Sequence, residues 1–502
     1  MIRRLDHVLQ DPIGLVALLI AGQIVAWTLA PALTHTAPPL DVAEGYMWGR
    51  EWVIATYKHP ALPSWVLEAS RLATGVVGWP AYLVSQLFIA ATFVFVFLLG
   101  RDMVGAERAA AGTLLLTGVV YFSWPTVEFN HNVAEMPFWA ALPWALWRAV
   151  ERGGHWRWVL VGGLAAGGLY AKLTTALLLV SLAGWILWDA RARGCLATPG
   201  PWLGLVVFAG VAAPLAIWLV AHNFAPLRYA AGRSERVHGD GPHMFVLGQL
   251  LNISGLVAML AISGLIARGR RAEASGAGAV PPYPPVAERA VGYLIVATAG
   301  PLALAMSGAL LVGSNLRTAW GSSMFNLAGL LAVCLTSSRF NGGALRRIAI
   351  CAAVLVAVVP LGYALVIAAG PLRPGMPPRV SWPQAELSER FAGIWARETG
   401  GRPLRIVSGD NWIAELVGVS NKDRPSILTR GEPALSPWIT PDRLERDGML
   451  IVWDARTGII PPALQALVNK GPAREERFDW AWSAKRGPLR IGYVIVPPKA
   501  AR

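Results

Sequence analysis

Six residues in one short stretch hold the groups for chemistry on a phosphorylated substrate: Asp41, Glu44, Tyr57, Lys58, His59 and Pro60. A carboxylate can take a proton from a hydroxyl near neutral pH, and an ammonium beside an imidazole suits a phosphate. Asp41 and Glu44 stand three apart, so a helix would present both on one side, and both are candidate catalytic groups. Plainer roles stay open: Asp41 as the cap of a helix towards Trp52, Lys58 reaching for lipid headgroups, His59 packed against Pro60. Trp48, Trp52, Tyr57 and Trp65 read as an interfacial aromatic belt more than as a sugar platform.

A second polar run spans Glu128, Asn130, His131, Asn132 and Glu135. Glu135 opens an apolar segment, where an ionisable group is costly unless it is paired or at the water's edge. His131, Asn132 and Glu135 are candidates for hydrogen bonding to a sugar or for a divalent metal, although their spacing identifies no metal. Lys172 stands in the Tyr170–Thr174 turn between two apolar runs, and Arg317 stands just before Trp320. Arg228, Arg233 and Arg236, with His222, His238, His243, Gly232, Gly239 and Gly241, read as a mobile outer loop. A guanidinium fork suits phosphate, so Lys58, His59, Lys172, Arg228 and Arg317 form the candidate set for binding a donor phosphate. Cys195, Cys334 and Cys351 make neither a CxxC pair nor a zinc spacing.

The body that must position these groups is mostly membrane. With 55% hydrophobic and 15% charged residues and a mean hydropathy of +0.47, the chain is too apolar for a soluble protein of its length. Its net charge of +14 sits mainly between apolar segments, where Lys and Arg orient spans and meet anionic lipid, which argues against nucleic acid. Runs of about 20 apolar residues cross the hydrocarbon. The sequence offers about eleven: 12–33, 81–99, 109–124, 133–147, 158–170, 173–188, 202–220, 244–266, 291–312, 320–335 and 348–369. The first is long for a signal peptide and reads as an uncleaved helix.

Loops rich in Arg, such as Arg148, Arg152 and Arg157, or Arg268, Arg270 and Arg271, place the N-terminus inside and the Asp41 loop outside. A segment rich in Ala, Gly and Pro, Ala272–Pro285, reads as an inside linker. After the prolines at 371, 374, 377 and 378 the character changes, and residues 371–502 alternate helix and strand as a small outer α/β domain. The expected fold is therefore a polytopic α-helical membrane protein, residues 1–370 with a first outer loop at 34–80, followed by that domain.

The acidic pair, the Trp48-Gly49 segment and the Tyr57-Lys58-His59-Pro60-Ala61-Leu62 turn directly after the first span resemble bacterial GT-C glycosyltransferases of the family 39 type. That group includes protein O-mannosyltransferases and lipid A aminoarabinose transferases. The resemblance implies transfer of a sugar from a polyprenyl phosphate donor to a lipid, glycan or protein acceptor on the outer face of a bacterial inner membrane. It also implies inversion at the anomeric carbon, with a first-loop carboxylate as base. Where many relatives carry an adjacent Asp-Glu pair, this chain has Ala43 before Glu44, and at the Thr-Pro-Asp acid of the second loop it offers Asn132 with Glu135 one turn on. A lipid-linked glycan flippase or secondary transporter is the alternative, and would favour ionisable groups at midspan and an internal repeat. A degenerate member acting as a binding or assembly partner is a third reading.

Overall fold

The computed structural model describes residues 11–235, 242–266, 283–370, 377–480 and 487–499. Arg236, His238, Gly239, Gly241, Pro371, Pro374 and residues 272–282 of the proposed linker lie outside the described residues. Five helices are long and apolar enough to cross a membrane: Pro12–Thr34, Trp79–Val104, Pro199–Ala221, Glu288–Val312 and Gly342–Ala369. Three bent pairs raise that number to as many as eight. Together with His131–Arg152, His155–Ala171 and Thr175–Trp188 they account for every apolar segment of the sequence. The chain is a polytopic helical membrane protein with a small C-terminal sheet domain.

Apolar side chains alone do not hold such spans together in lipid, so close backbone approach and polar pairs matter. A Cβ on Gly162 would lie 2.1 Å from the carbonyl oxygen of Gly204, so His155–Ala171 and Pro199–Ala221 meet backbone to backbone. One bent pair, Ala106–Gly118 with Val120–Val127, turns by 90°. Its freed carbonyls find donors: Gln23 Nε2 bonds the Phe122 carbonyl at 2.9 Å, and Ser85 Oγ bonds that of Thr126. Irregular backbone at membrane depth needs such partners.

Two short helices follow the first span, Leu40–Arg50 and Leu62–Thr74. They pack so closely that a Cβ on Gly49 would lie 2.2 Å from the Ser64 carbonyl oxygen. Between them Thr56 N–H donates to the His59 carbonyl at 2.9 Å, closing the turn that carries Lys58 and His59.

The C-terminal domain is a five-stranded sheet of β1 (Ile406–Gly409), β2 (Ser426–Thr429), β3 (Met449–Asp454), β4 (Arg474–Phe478) and β5 (Leu489–Val496). Their order is β2-β1-β3-β5-β4, with β1 parallel to β2 and β3 and the remaining pairs antiparallel. The domain's helices include Gln384–Glu398 and Pro441–Asp447, the latter with Thr440 as its cap. A helix not expected, Asn411–Val419, docks on the first-loop helix. Its Leu416 and Val417 belong to one continuous core with Val42, Ala43 and Tyr46. Arg424 fastens the same interface, donating to Glu68 at 2.5 Å and to the Tyr46 carbonyl at 3.3 Å.

Candidate active site

The first-loop helix puts Asp41 and Glu44 on the side that faces a chamber of about 460 Å³. Ala43 points into the core, fully buried. Lys58, His59, His131, Asn132, Lys172 and Arg317 line the same chamber, so residues from four separate parts of the sequence converge there.

The Lys58 ammonium forms an ion pair with Glu44 and lies 5.5 to 5.7 Å from the ring centroids of Trp48, Tyr57 and Tyr229. Burial works against its charge, but Glu44 and the two tyrosines outweigh burial and raise its pKa, so Lys58 stays protonated. Burial pushes the Glu44 carboxyl above the usual carboxylate range, against the pull of Lys58. Asn411 of the C-terminal domain donates to the same Glu44 oxygen at 3.2 Å. Trp48 and Tyr57 are thus part of the site and not of a surface belt; of that expected set, Trp52 is the exposed one.

Asp41 is held differently. Its Oδ2 accepts from Asn130 Nδ2 at 3.0 Å, and its backbone N–H donates to Glu128 Oε1 at 2.8 Å. Pro39 supplies no side-chain cap to this helix, and Glu128 takes that place from another loop. Burial, with Asp41 adding to it, pushes the Glu128 carboxyl up to about 8.

Lys172 lies where expected, in the turn between His155–Ala171 and Thr175–Trp188. Its Nζ donates to Asn132 Oδ1 at 2.7 Å and Glu135 Oε1 at 3.1 Å, while Thr174 holds the other Glu135 oxygen at 2.7 Å. Glu135 is therefore the counterion of a lysine. His131 Nε2 is engaged with the Pro60 carbonyl at 3.0 Å, and its ring lies 4.0 Å from that of His59. Burial, then His131, Lys172 and Lys58, keep His59 neutral, so it faces the chamber as a hydrogen-bonding imidazole and not as a cation. Among the described residues no three His, Cys, Asp or Glu side chains converge as a metal site.

The guanidinium groups divide. Arg317 is half-buried in the chamber wall. The segment expected to be a mobile loop is instead a helix, Ala225–Glu235, over its described part. That helix turns Tyr229 and Arg233 into the chamber and leaves Arg228 exposed, 3.4 Å from the His222 carbonyl. Arg233 thus replaces Arg228 in the candidate set. Asn411 and Tyr229 escaped the sequence reading, and Asn130 was read only as part of the second polar run, because only long-range packing brings them to Glu44, Lys58 and Asp41.

Comparison with known proteins bears on the fold and on part of the sequence. Residues 58–218 match the family model described as dolichyl-phosphate-mannose-protein mannosyltransferase. A search of curated proteins finds no match. Among solved structures, ArnT from Cupriavidus metallidurans bound to undecaprenyl phosphate is similar with a TM-score of 0.64 at 13% identity, covering 96% of this chain and 98% of that one. The apo state of the same ArnT gives a TM-score of 0.60 at the same identity and coverage. The family model matches one part of the chain, residues 58–218, and the chain shares the ArnT fold over nearly its whole length, in keeping with the GT-C resemblance of its first loop.

Proposed function

We propose that the protein transfers a hexose or pentose from a polyprenyl phosphate donor to an acceptor hydroxyl on the outer face of the bacterial inner membrane, with inversion. One observation supports this above others: Lys58, Lys172, Arg233 and Arg317 share a single chamber with Asp41. Four cations suit a lipid phosphate as it leaves, and fixed charges aimed at developing charge are the main source of rate acceleration in such sites. One wall of the chamber is apolar, made by Leu173, Ala176, Leu177, Pro226, Leu227 and Ala230, which suits the first isoprene units of the donor. ArnT, a solved structure whose fold the chain shares, was solved bound to undecaprenyl phosphate.

Within this reading the carboxylates have different tasks. Glu44 is committed to Lys58 and Asn411. Asp41, held by a neutral amide, is free to take the acceptor proton. Glu44 keeps the Lys58 ammonium charged and in place until a phosphate competes for it.

The sidedness rests on charge. Loops read as inside from their arginines meet one another: Asp102 pairs with Arg148 at 2.5 Å and Arg152 at 3.0 Å, and Glu151 pairs with Arg191 at 2.9 Å and with Arg289. This supports a cytoplasmic N-terminus with residues 371–502 as a domain on the periplasmic side. The test is transfer of label from polyprenyl phosphate sugars by protein in liposomes with an envelope extract as acceptor. Label moving to acceptor supports the reading; no transfer, with labelled lipid becoming accessible across the bilayer, replaces it with lipid transport.

A further inference from the structure

A second chamber, of about 510 Å³, adjoins the first and shares Asn130, Asn132 and Ala319 with it. These shared residues touch both ends of the proposed reaction. Asn132 accepts from Lys172 on the phosphate side, and Asn130 donates to Asp41 on the base side. Glu128, bonded to the backbone of Asp41, faces the second chamber and not the first. In a displacement with inversion the acceptor enters opposite the leaving phosphate, next to the base. The second chamber is the space on that side.

Its walls define a ligand class. Among the described residues no Lys, Arg or His lines it, in contrast to the four cations next door. Most of its polar groups are already engaged with protein. The Tyr121 hydroxyl is bonded to Gln249 and Thr318 and accepts from Asn252; the Tyr363 hydroxyl is bonded to His35. What remains is apolar: Val120, Pro125, Val127, Val133, Met136 and Val380. Ser322 lines the chamber at 4% exposure, and its hydroxyl has no partner. An unpaired buried hydroxyl is costly, so this one offers a hydrogen bond to something bound. Trp124, on the chamber wall, is 56% exposed and belongs to the bent apolar pair, so an exposed aromatic of a candidate membrane span borders this chamber.

We infer that this second chamber holds the acceptor, and that the acceptor is a membrane-borne alcohol with an uncharged, apolar body whose hydroxyl reaches Asp41. A peptide would bring backbone amides that these walls leave unpaired, and an anionic glycan would enter walls whose described lining offers it no Lys, Arg or His. The inference rests on the glycosyl transfer proposed above, with the first chamber as the donor site.

The experiment uses the full-length protein in nanodiscs, a polyprenyl phosphate-linked radiolabelled sugar, and two acceptors supplied separately: a long-chain prenyl alcohol and a serine- and threonine-rich peptide. Ser322→Phe fills the chamber, and Ser322→Ala removes only the hydroxyl. Expected are transfer to the prenyl alcohol and not to the peptide, at least a tenfold loss of that transfer in Ser322→Phe, and undecaprenyl phosphate binding within twofold of wild type. Should Ser322→Phe lose lipid phosphate binding through misfolding, Ser322→Ala decides, with an expected rise of about threefold in the KM for the alcohol and unchanged kcat. Transfer to the peptide, or alcohol transfer indifferent to the substitution that retains its fold, overturns the inference. Failure of wild type to bind undecaprenyl phosphate at all overturns the donor reading instead.

Discussion

At the residue scale the site turns on who neutralises whom. Lys58 and Glu44 are both buried, with side chains 14% and 6% exposed, so removing one strands the other. Lys58→Met should cost about 3 kcal/mol, because breaking a buried pair leaves an uncompensated charge. Adding Glu44→Gln should restore much of that stability without restoring activity, and thermal unfolding in detergent beside a transfer assay checks both halves. Glu128 makes a prediction about pH. Its carboxyl is raised to about 8 in the folded chain, so the folded state keeps a proton that the unfolded chain has released. Its contribution is therefore fully present at pH below the ordinary carboxylate value and declines as pH rises through about 8. Melting curves between pH 5 and 9 should fall more steeply for wild type than for Glu128→Gln. Asp41, Glu44, Lys58 and Lys172 were legible in the sequence because each sits at a loop beside an apolar run, where polarity stands out. The neutral state of His59 was not, because it depends on burial and on Lys172, more than 100 residues away.

At the scale of elements, the first-loop helix is set by close contact and by a borrowed cap. Gly49→Ala would drive a methyl group into the Ser64 carbonyl at 2.2 Å, and shifting the helix should cost about 1 to 3 kcal/mol. Because that helix carries Asp41 and Glu44, transfer should fall at least tenfold in the same variant; unchanged activity and melting would show that the contact is slack. The long helices were legible from apolar length alone. Bends were harder: the 90° turn after Gly118 lies inside an apolar run whose composition does not mark it, and its stability rests on Gln23, Ser85 and Gln86 from other spans. The short strands β2 and β4 carry little sequence signal. β2 has four residues, all buried, and β4, mostly charged, is an edge strand that pairs only with β5.

On the scale of the whole molecule, the C-terminal domain is part of the site. Asn411 touches Glu44, and Glu415, fully buried behind it, is held well above the usual carboxylate range by burial and by Glu44. The sequence showed that a small α/β domain existed but not where it sat, because docking depends on Arg424 meeting Glu68, 356 positions apart. Arg424→Ala should loosen the domain, seen as faster proteolysis near residue 377 and a drop in donor affinity; slow proteolysis with normal affinity would mean that the remaining contacts suffice. The central claim is that Asp41 takes the acceptor proton while Glu44 serves Lys58. Its most direct test is single-turnover transfer from a polyprenyl phosphate sugar by wild type, Asp41→Asn and Glu44→Gln, with undecaprenyl phosphate binding measured in parallel. The account predicts that Asp41→Asn loses at least a hundredfold in rate with binding unchanged, while Glu44→Gln mainly weakens binding. The reverse pattern, or an Asp41→Asn enzyme that still transfers at the wild-type rate, would contradict it.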